Sequence, residues 1–412
     1  MKSLKVMVLI LVIFGTWPVA LAHAGLNEWT ITGSYFALIN ALVIDPSTPA
    51  TLYAGTPAGV FKSADGGDSW FAAKKGLSET NINTLAIDPL NPGTLYAGTS
   101  ALGVYKSMDG GDSWSAANNG LPETAVNTLA IDPSTPATLY AGTPAGVFKS
   151  TDGGDSWFAA NNGLPQFYAI TVNTLAIDPS TPAMLYAGTH DDGVYKSTDG
   201  GASWFVAAAG LTNMTVLTIA IDRSDPTTLY AGTSLDGVFK STNGAASWFA
   251  ANIGLPQDTS GHYPYVYDLA IDPVTSTTLY AAIHSKGVYR SMDGGASWFA
   301  ANSGLPEMTV KTLTIDPSTP TTWYAGINGE GVYKSKDGGS SWFEMNTGLT
   351  NLNVNALVIA PSTPTILYAG TEVGVFKYEA SADSGDGGSN GGGSNGGGCF
   401  INTAFQESHM VK

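Results

Sequence analysis

The chain has 412 residues, 43 % hydrophobic and 12 % charged; the charged share is about half the usual one, and the apolar content is that of a folded protein, not a disordered one. Seventeen basic residues stand against 33 acidic ones, and the resulting net charge of −16 repels phosphate backbones and excludes nucleic acid as a partner. The single cysteine, Cys399, excludes an intramolecular disulfide framework and a Cys-based zinc site.

Residues 1–24 read as a secretory signal peptide. Lys2 and Lys5 make a positive start, residues 6–14 form an apolar run too short to span a bilayer, and Ala22-His23-Ala24 is an A-x-A cleavage site. An uncleaved membrane anchor is the alternative. No later segment is long and apolar enough to cross a membrane. The mature chain is therefore expected to be secreted without a transmembrane span, and to reside outside the cell, at its surface or in the periplasm.

From residue 28 onward the sequence repeats itself. A box of the form S-x-D-G-G-x-S-W starts at Ser63, Ser107, Ser150, Ser197, Ser241, Ser291 and Ser335, with its tryptophan 44, 43, 47, 44, 50 and 44 residues after the preceding one. LYAG or a variant occurs eight times, with tyrosines at 53, 96, 140, 186, 230, 280, 324 and 368, and I-D-P or a variant also occurs eight times. One unit, residues 127–159, holds four short segments rich in β-branched and aromatic residues. Each is bounded by Pro, Gly, Asp or Ser, which predicts a four-stranded meander. No segment carries apolar residues at helical spacing over two turns. Four strands per repeat, repeated radially, predict an all-β propeller of four-stranded blades. The first three strands occur eight times and the boxes seven. The missing fourth strand is assigned to residues 28–32 (EWTIT), which carry Trp29 where other units carry the box tryptophan. Eight blades closed by the N-terminal strand are expected, seven with irregular ends being the alternative.

The boxes resemble the Asp-box (BNR) repeats of the superfamily that includes sialidases, sortilin-type receptors, xyloglucan-active hydrolases and photosystem II assembly factors. Six boxes match S-x-D-x-G-x-x-W in full; the fifth has Asn243 for Asp and Ala245 for Gly. The resemblance implies that this hairpin joins strands three and four on the face opposite the active sites. It gives Asp65, Trp70, Asp109, Trp114, Asp152, Trp157, Asp199, Trp204, Asn243, Trp248, Asp293, Trp298, Asp337 and Trp342 structural roles. The physics agrees: a short carboxylate or amide accepts turn N–H groups, Gly supplies positive φ, and Trp packs between sheets. Calcium is not expected, since four residues cannot supply six oxygens.

Sialidases hold their substrate with three arginines, and this chain has two, Arg223 and Arg290, so it is not expected to be one. The xyloglucan hydrolases place a carboxylate pair between two propellers, and only one propeller's worth of repeats is present. No G-x-S-x-G, H-E-x-x-H or phosphate-loop motif occurs. No catalytic residue, metal or cofactor is assigned.

Because the repeats are near-copies, unique function is expected where they diverge. Residues 165–172 add three residues between blades, and residues 256–267 (PQDTSGHYPYVY) add six. Both join a fourth strand to the next first strand, and in a propeller they share a face with the second-to-third-strand loops. Candidate ligand-binding residues are Phe167, Tyr168, His190, Asp191, Asp192, His262, Tyr263, Tyr265 and Tyr267. Tyrosines are rigid and amphipathic and suit sugar or protein contact; covering the channel is their alternative role. Leu235-Asp236, Ser285-Lys286 and Asn328-Gly329-Glu330 are expected to line the rim.

The propeller is assigned to residues 25–380. Residues 381–398 read as a Gly/Ser linker, and 399–412 as a short tail that looks like the C-F-I-x-T-A ending of some exported bacterial proteins. Cys399 is a candidate for anchoring or dimerisation, the propeller itself being expected as a monomer. The reading is an exported, non-catalytic binding or assembly module that engages a protein or polysaccharide through its loop face. A glycoside hydrolase using acids such as Asp258 and Asp268 and a passive surface or matrix protein are the alternatives.

Overall fold

The computed structural model describes residues 27–32, 38–78, 81–165, 170–316, 318–360, 363 and 365–380. The expected signal segment, the expected linker, the tail with Cys399, and Phe167 and Tyr168 lie outside the described residues.

Within one repeat the chain folds as the segments dictate. In blade 3 the first strand, Thr128–Ile131, ends at Asp132, whose Oδ1 accepts the N–H groups of Ser134 (2.8 Å) and Thr135 (3.1 Å) and turns the chain. The second strand, Leu139–Thr143, is buried at all five positions, because neighbouring blades cover both of its faces. The third, Gly146–Ser150, pairs with it antiparallel, Tyr140 opposite Lys149, and the fourth is only Phe158–Ala159. Gly142 in the second strand has a packing reason: a Cβ there would sit 2.6 Å from Thr128 Cγ2 and 2.8 Å from Val172 Cγ1 of the next blade.

Eight such sheets form a ring, an all-β propeller without helices among the described residues. Counted from first to last strand, blades 1 to 7 run 41–72, 82–116, 128–159, 172–206, 216–250, 266–300 and 310–344. Blade 8 is Val354–Ile359, Ile366–Thr371 and Val375–Glu379, completed by Trp29–Thr32. That N-terminal strand pairs antiparallel with Val375–Glu379, Trp29 opposite Tyr378. The first strand of every blade touches those of both its neighbours, blade 8 against blade 1 included. The core is thus eight wedges between blades, such as Tyr53 and Ala73 of blade 1 packed with Leu95, Tyr105 and Trp114 of blade 2.

One contact recurs around the ring. Trp114 Nε1 donates to the Ala73 carbonyl of the preceding blade, Trp157 to Ala117, Trp204 to Ala160, Trp248 to Ala207, Trp298 to Ala251 and Trp342 to Ala301, at 2.7–2.8 Å. Trp29 makes the same bond to the Met345 carbonyl, and Trp70 closes the circle on the Thr32 hydroxyl at 3.0 Å. Every acceptor residue lies three positions after its own blade's tryptophan. Trp29 therefore occupies a box tryptophan's place without a box. Its carbonyl also faces Gly348 (φ +85°), where a Cβ would come within 2.1 Å.

Each box hairpin is closed by its own side chains. Asp109 Oδ1 accepts the Ser107 hydroxyl and the Ser113 N–H, both at 2.8 Å, and its Oδ2 accepts the Ser113 hydroxyl at 2.5 Å. Asn243 reproduces the first two bonds in the fifth box, at 2.9 and 3.0 Å, while Ala245 holds the left-handed φ of 66° that Gly takes elsewhere.

Three outcomes are expected. Trp29→Ala removes a side chain only 2 % exposed and is expected to lower unfolding free energy by about 3–5 kcal/mol in denaturant melts. Phe299→Ser, at a rim position 61 % exposed, is expected to change it by less than about 0.5 kcal/mol. The third outcome concerns acid. Asp109, Asp152, Asp199 and Asp293 are held down from 3.8 to about 2, first by the hydroxyl of the serine four residues on. A group depressed in the folded state stabilises it above its unfolded value and loses that contribution as pH falls through its folded value. The melting temperature is therefore expected to drop as pH falls from 3.8 towards 2; a profile flat through that window would contradict the assignment.

Candidate functional site: the loop face

The chain path creates two unlike faces. On one, each box lies beside its own blade's first turn, as where Gly110 N donates to Gly93 O and Gly153 N to Ala137 O, both at 2.8 Å. On the other, the second-to-third-strand loops bond to the connections between blades: Gly103 N to Thr124 O at 3.0 Å, and Gly193 N to Met214 O at 2.7 Å. The box face repeats itself. Its groove of about 460 Å³ between blades 2 and 3 is lined by Asp88, Tyr96, Lys106 and Pro136, residues with counterparts in most blades. The loop face does not repeat. His190, His262 and His284, the histidines among the described residues, all belong to it.

At the loop-face end of the first strand one position faces the next blade around the central channel. Asn40 Nδ2 donates to Ile82 O (2.9 Å), Asn83 to Val126 O (3.3 Å), Asn127 to Val172 O (3.0 Å) and Asn173 to Val216 O (3.1 Å). Asn355 occupies the same place in blade 8. In blades 5, 6 and 7 the residue is Leu217, Tyr267 and Lys311. In blades 2 and 4–8 a bulge in the first strand falls at this residue, and bulges re-aim side chains.

Three adjacent blades thus break the asparagine ring, and the longest insertion lands on the same sector. Tyr265 and Tyr267 stack, ring centroids 6.0 Å apart at 17°. His284, from the blade 6 loop, sets its ring edge-on to both, at 5.9 and 5.5 Å. Its Nδ1 lies 3.1 Å from the Tyr267 hydroxyl and 3.3 Å from Thr309 Oγ1, while Lys311 Nζ stands 5.8 Å over the Tyr267 ring. Tyrosine faces, an imidazole and an ammonium side by side can bind a ligand of mixed apolar and hydrogen-bonding character.

The expected residues divide. Tyr265 and Tyr267 are brought together, although Tyr267 belongs to the first strand, Val266–Ile271, and not to the loop; it is the residue left unpaired by the bulge between Val266 and Asp268, and a bulge re-aims the side chain it carries. Tyr263 is held by its N–H to Leu235 O at 2.9 Å and belongs to a separate groove. His262 Nδ1 lies 3.8 Å from Asp258 Oδ2, both being exposed; the His262 and Ser260 N–H groups also donate to Asp258 Oδ1. The first of these is the largest cause holding the Asp258 carboxyl below its ordinary range. His190 and Asp191 are exposed on blade 4, 4.0 Å apart, with Asp191 accepting Thr215 Oγ1 at 3.3 Å, and Asp192 continues that loop. Among the described residues no three His, Cys, Asp or Glu side chains are grouped to hold a metal. Asp268 is 5 % exposed, and its Oδ1 accepts the Leu269 N–H.

His284 and Lys311 were not among the expected residues. Lys311 had a legible signal, the column Asn-Asn-Asn-Asn-Leu-Tyr-Lys-Asn across the first strands. His284 had none, because its partners Tyr267 and Thr309 lie 17 and 25 residues away along the chain.

The geometry defines an eight-bladed β-propeller whose loop face is unequal around the ring. No protein-family model and no curated protein sequence matches the chain. Solved structures do match its fold. Sqt1 from Chaetomium thermophilum aligns at 13 % identity and TM-score 0.64 over 85 % of this chain and 100 % of its own. The GH74 xyloglucanase from Xanthomonas campestris aligns at 19 % and 0.58, over 83 % of this chain and 59 % of the enzyme. YCF48 bound to D1 peptide aligns at 13 % and 0.52, over 87 % and 97 %. The chain thus spans less than two thirds of the xyloglucanase, and these likenesses establish the fold alone.

The broken ring leads to a stability expectation. An asparagine at position 311 is placed to bond the next blade, which is worth about 1 kcal/mol. Lys311→Asn is therefore expected to keep unfolding free energy within about 1 kcal/mol of wild type; a loss several times larger would give Lys311 a structural role instead.

Proposed function

We propose that the protein is an exported, non-catalytic binding module that takes a ligand on its loop face in the sector of blades 5 to 7. The observation that carries this reading is convergence: near-identical blades place Tyr265, Tyr267, His284 and Lys311 together. The acids nearest this sector in sequence do not favour hydrolysis. Asp268 is buried and Asp258 is engaged in its own turn, whereas glycoside hydrolysis needs two carboxyls facing one bond. Among similar folds, YCF48 holds a peptide and another protein is a xyloglucanase, so the fold accommodates either kind of ligand. Residues 1–24 act as the export signal in this reading. The seven boxes act as structural Asp-box hairpins on the opposite face, and Cys399 offers a tether or dimer contact beyond the 381–398 linker.

The test passes envelope extracts and polysaccharides over the immobilised chain and reads retention and sugar release in one assay. Retention without release, reduced about tenfold or more by Tyr265→Ala with Tyr267→Ala, is expected. Sugar release by the wild type, abolished by Asp258→Asn or Asp268→Asn, would replace this reading with a hydrolase.

A further inference from the structure

A second set of divergent residues meets outside the channel. The six-residue insertion carries Tyr263 back against the second-to-third-strand loop of blade 5, where its N–H bonds Leu235 O at 2.9 Å. There Tyr263 walls a groove of about 380 Å³ that also includes Thr212, Asp236, Phe239, Asn252 and Ile253. Phe239, 2 % exposed, belongs to its floor, and Ile253, 74 % exposed, to its outer edge. In blades 2 and 3 the Ile253 position is Asn119 and Asn162. The apolar edge and the aromatic wall thus come from two independent departures from the repeat.

The polar side of the groove is pre-formed. Thr212 Oγ1 donates to Asp236 Oδ2 at 2.6 Å, and Asn252 Nδ2 donates to Asp236 O at 2.8 Å while its Oδ1 takes the Val238 N–H at 2.7 Å. The Ile253 carbonyl receives the Trp298 N–H at 2.8 Å, which fixes the backbone beneath the apolar edge. A carboxylate accepts paired hydroxyls, and a tyrosine face beside an isoleucine accepts the C–H face of a ring. That mixture suits a polyhydroxylated ring rather than a wholly apolar ligand.

We infer that this groove is a subsite for one or two sugar units of a neutral polysaccharide, with Tyr263 as the stacking wall and Asp236 as the hydroxyl acceptor. Neutral chains are specified because a protein of net charge −16, with a carboxylate in the groove, repels anionic ones. The inference rests on the loop face being the binding face, and it names the ligand class there.

Affinity electrophoresis of the full chain through gels holding a neutral β-glucan, a galactomannan or an anionic polygalacturonate tests it. A neutral polysaccharide is expected to retard the wild type and the polygalacturonate is not. Tyr263→Ala and Ile253→Asn are each expected to weaken retardation about tenfold, and Tyr263→Phe to keep most of it. Ile253→Asn places on an exposed edge the residue that other blades carry, so it tests the groove even if Tyr263→Ala misfolds. Failure of every neutral polysaccharide to retard the wild type, or unchanged retardation of Ile253→Asn, overturns the subsite. If instead a ligand is retained through Tyr265 and Tyr267 while no polysaccharide binds, the sugar subsite falls and the binding module stands.

Discussion

The structure depends on a bond passed from blade to blade. Each tryptophan reaches back to the residue three past its predecessor's tryptophan, so no blade completes its own packing. A four-stranded sheet of this size exposes two apolar faces and can hide them only against its neighbours. Such an array has no natural end until it meets itself. Closure comes from Trp29–Thr32, which supplies both the tryptophan that blade 7 accepts and the Thr32 hydroxyl that accepts Trp70. Covalent continuity thus breaks inside blade 8, and the hydrogen-bond circle runs across the break.

Closure also shapes the two faces. The box side consists of short turns held by their own Asp or Asn, and in most repeats these carry the same residues. Tyr53, Tyr96, Tyr230, Tyr280 and Tyr368 each donate to the carbonyl of a box glycine in the following blade, which ties the boxes into the frame. The loop side is free of that duty. In blades 1 to 4 the first strand begins there with an asparagine that bonds its neighbour; Asn355 keeps the place in blade 8 with its Nδ2 unbonded, and three blades carry another residue. Leu217, Tyr267 and Lys311 are consecutive around the ring, so their departures form one sector. The longer of the two insertions falls between blades 5 and 6, next to it.

Much of this was legible in the residues. The strand order, the eight-fold count and the closing strand followed from the arithmetic of boxes against LYAG segments, because repeat number and spacing are properties of the chain itself. Trp29 could be placed because it stands in its strand where the other units carry the box tryptophan. The candidate site was legible in part. Tyr263, Tyr265 and Tyr267 stood out as an aromatic insertion, but they appeared as one group, whereas the fold sends Tyr263 to blade 5 and the other two to the channel mouth.

The sequence by itself determined the blade, the number of blades, the closing strand and the positions at which the copies differ. All of these arise from local pattern and from the need to bury each sheet against the next. Only the tertiary structure decided which differences meet. His284 comes from a hairpin loop, Lys311 from the next blade, and Asp236 and Ile253 from the blade before. Radial stacking converts separations of roughly one repeat into contact across a blade interface, and no spacing along the chain states on which side of that interface a side chain emerges.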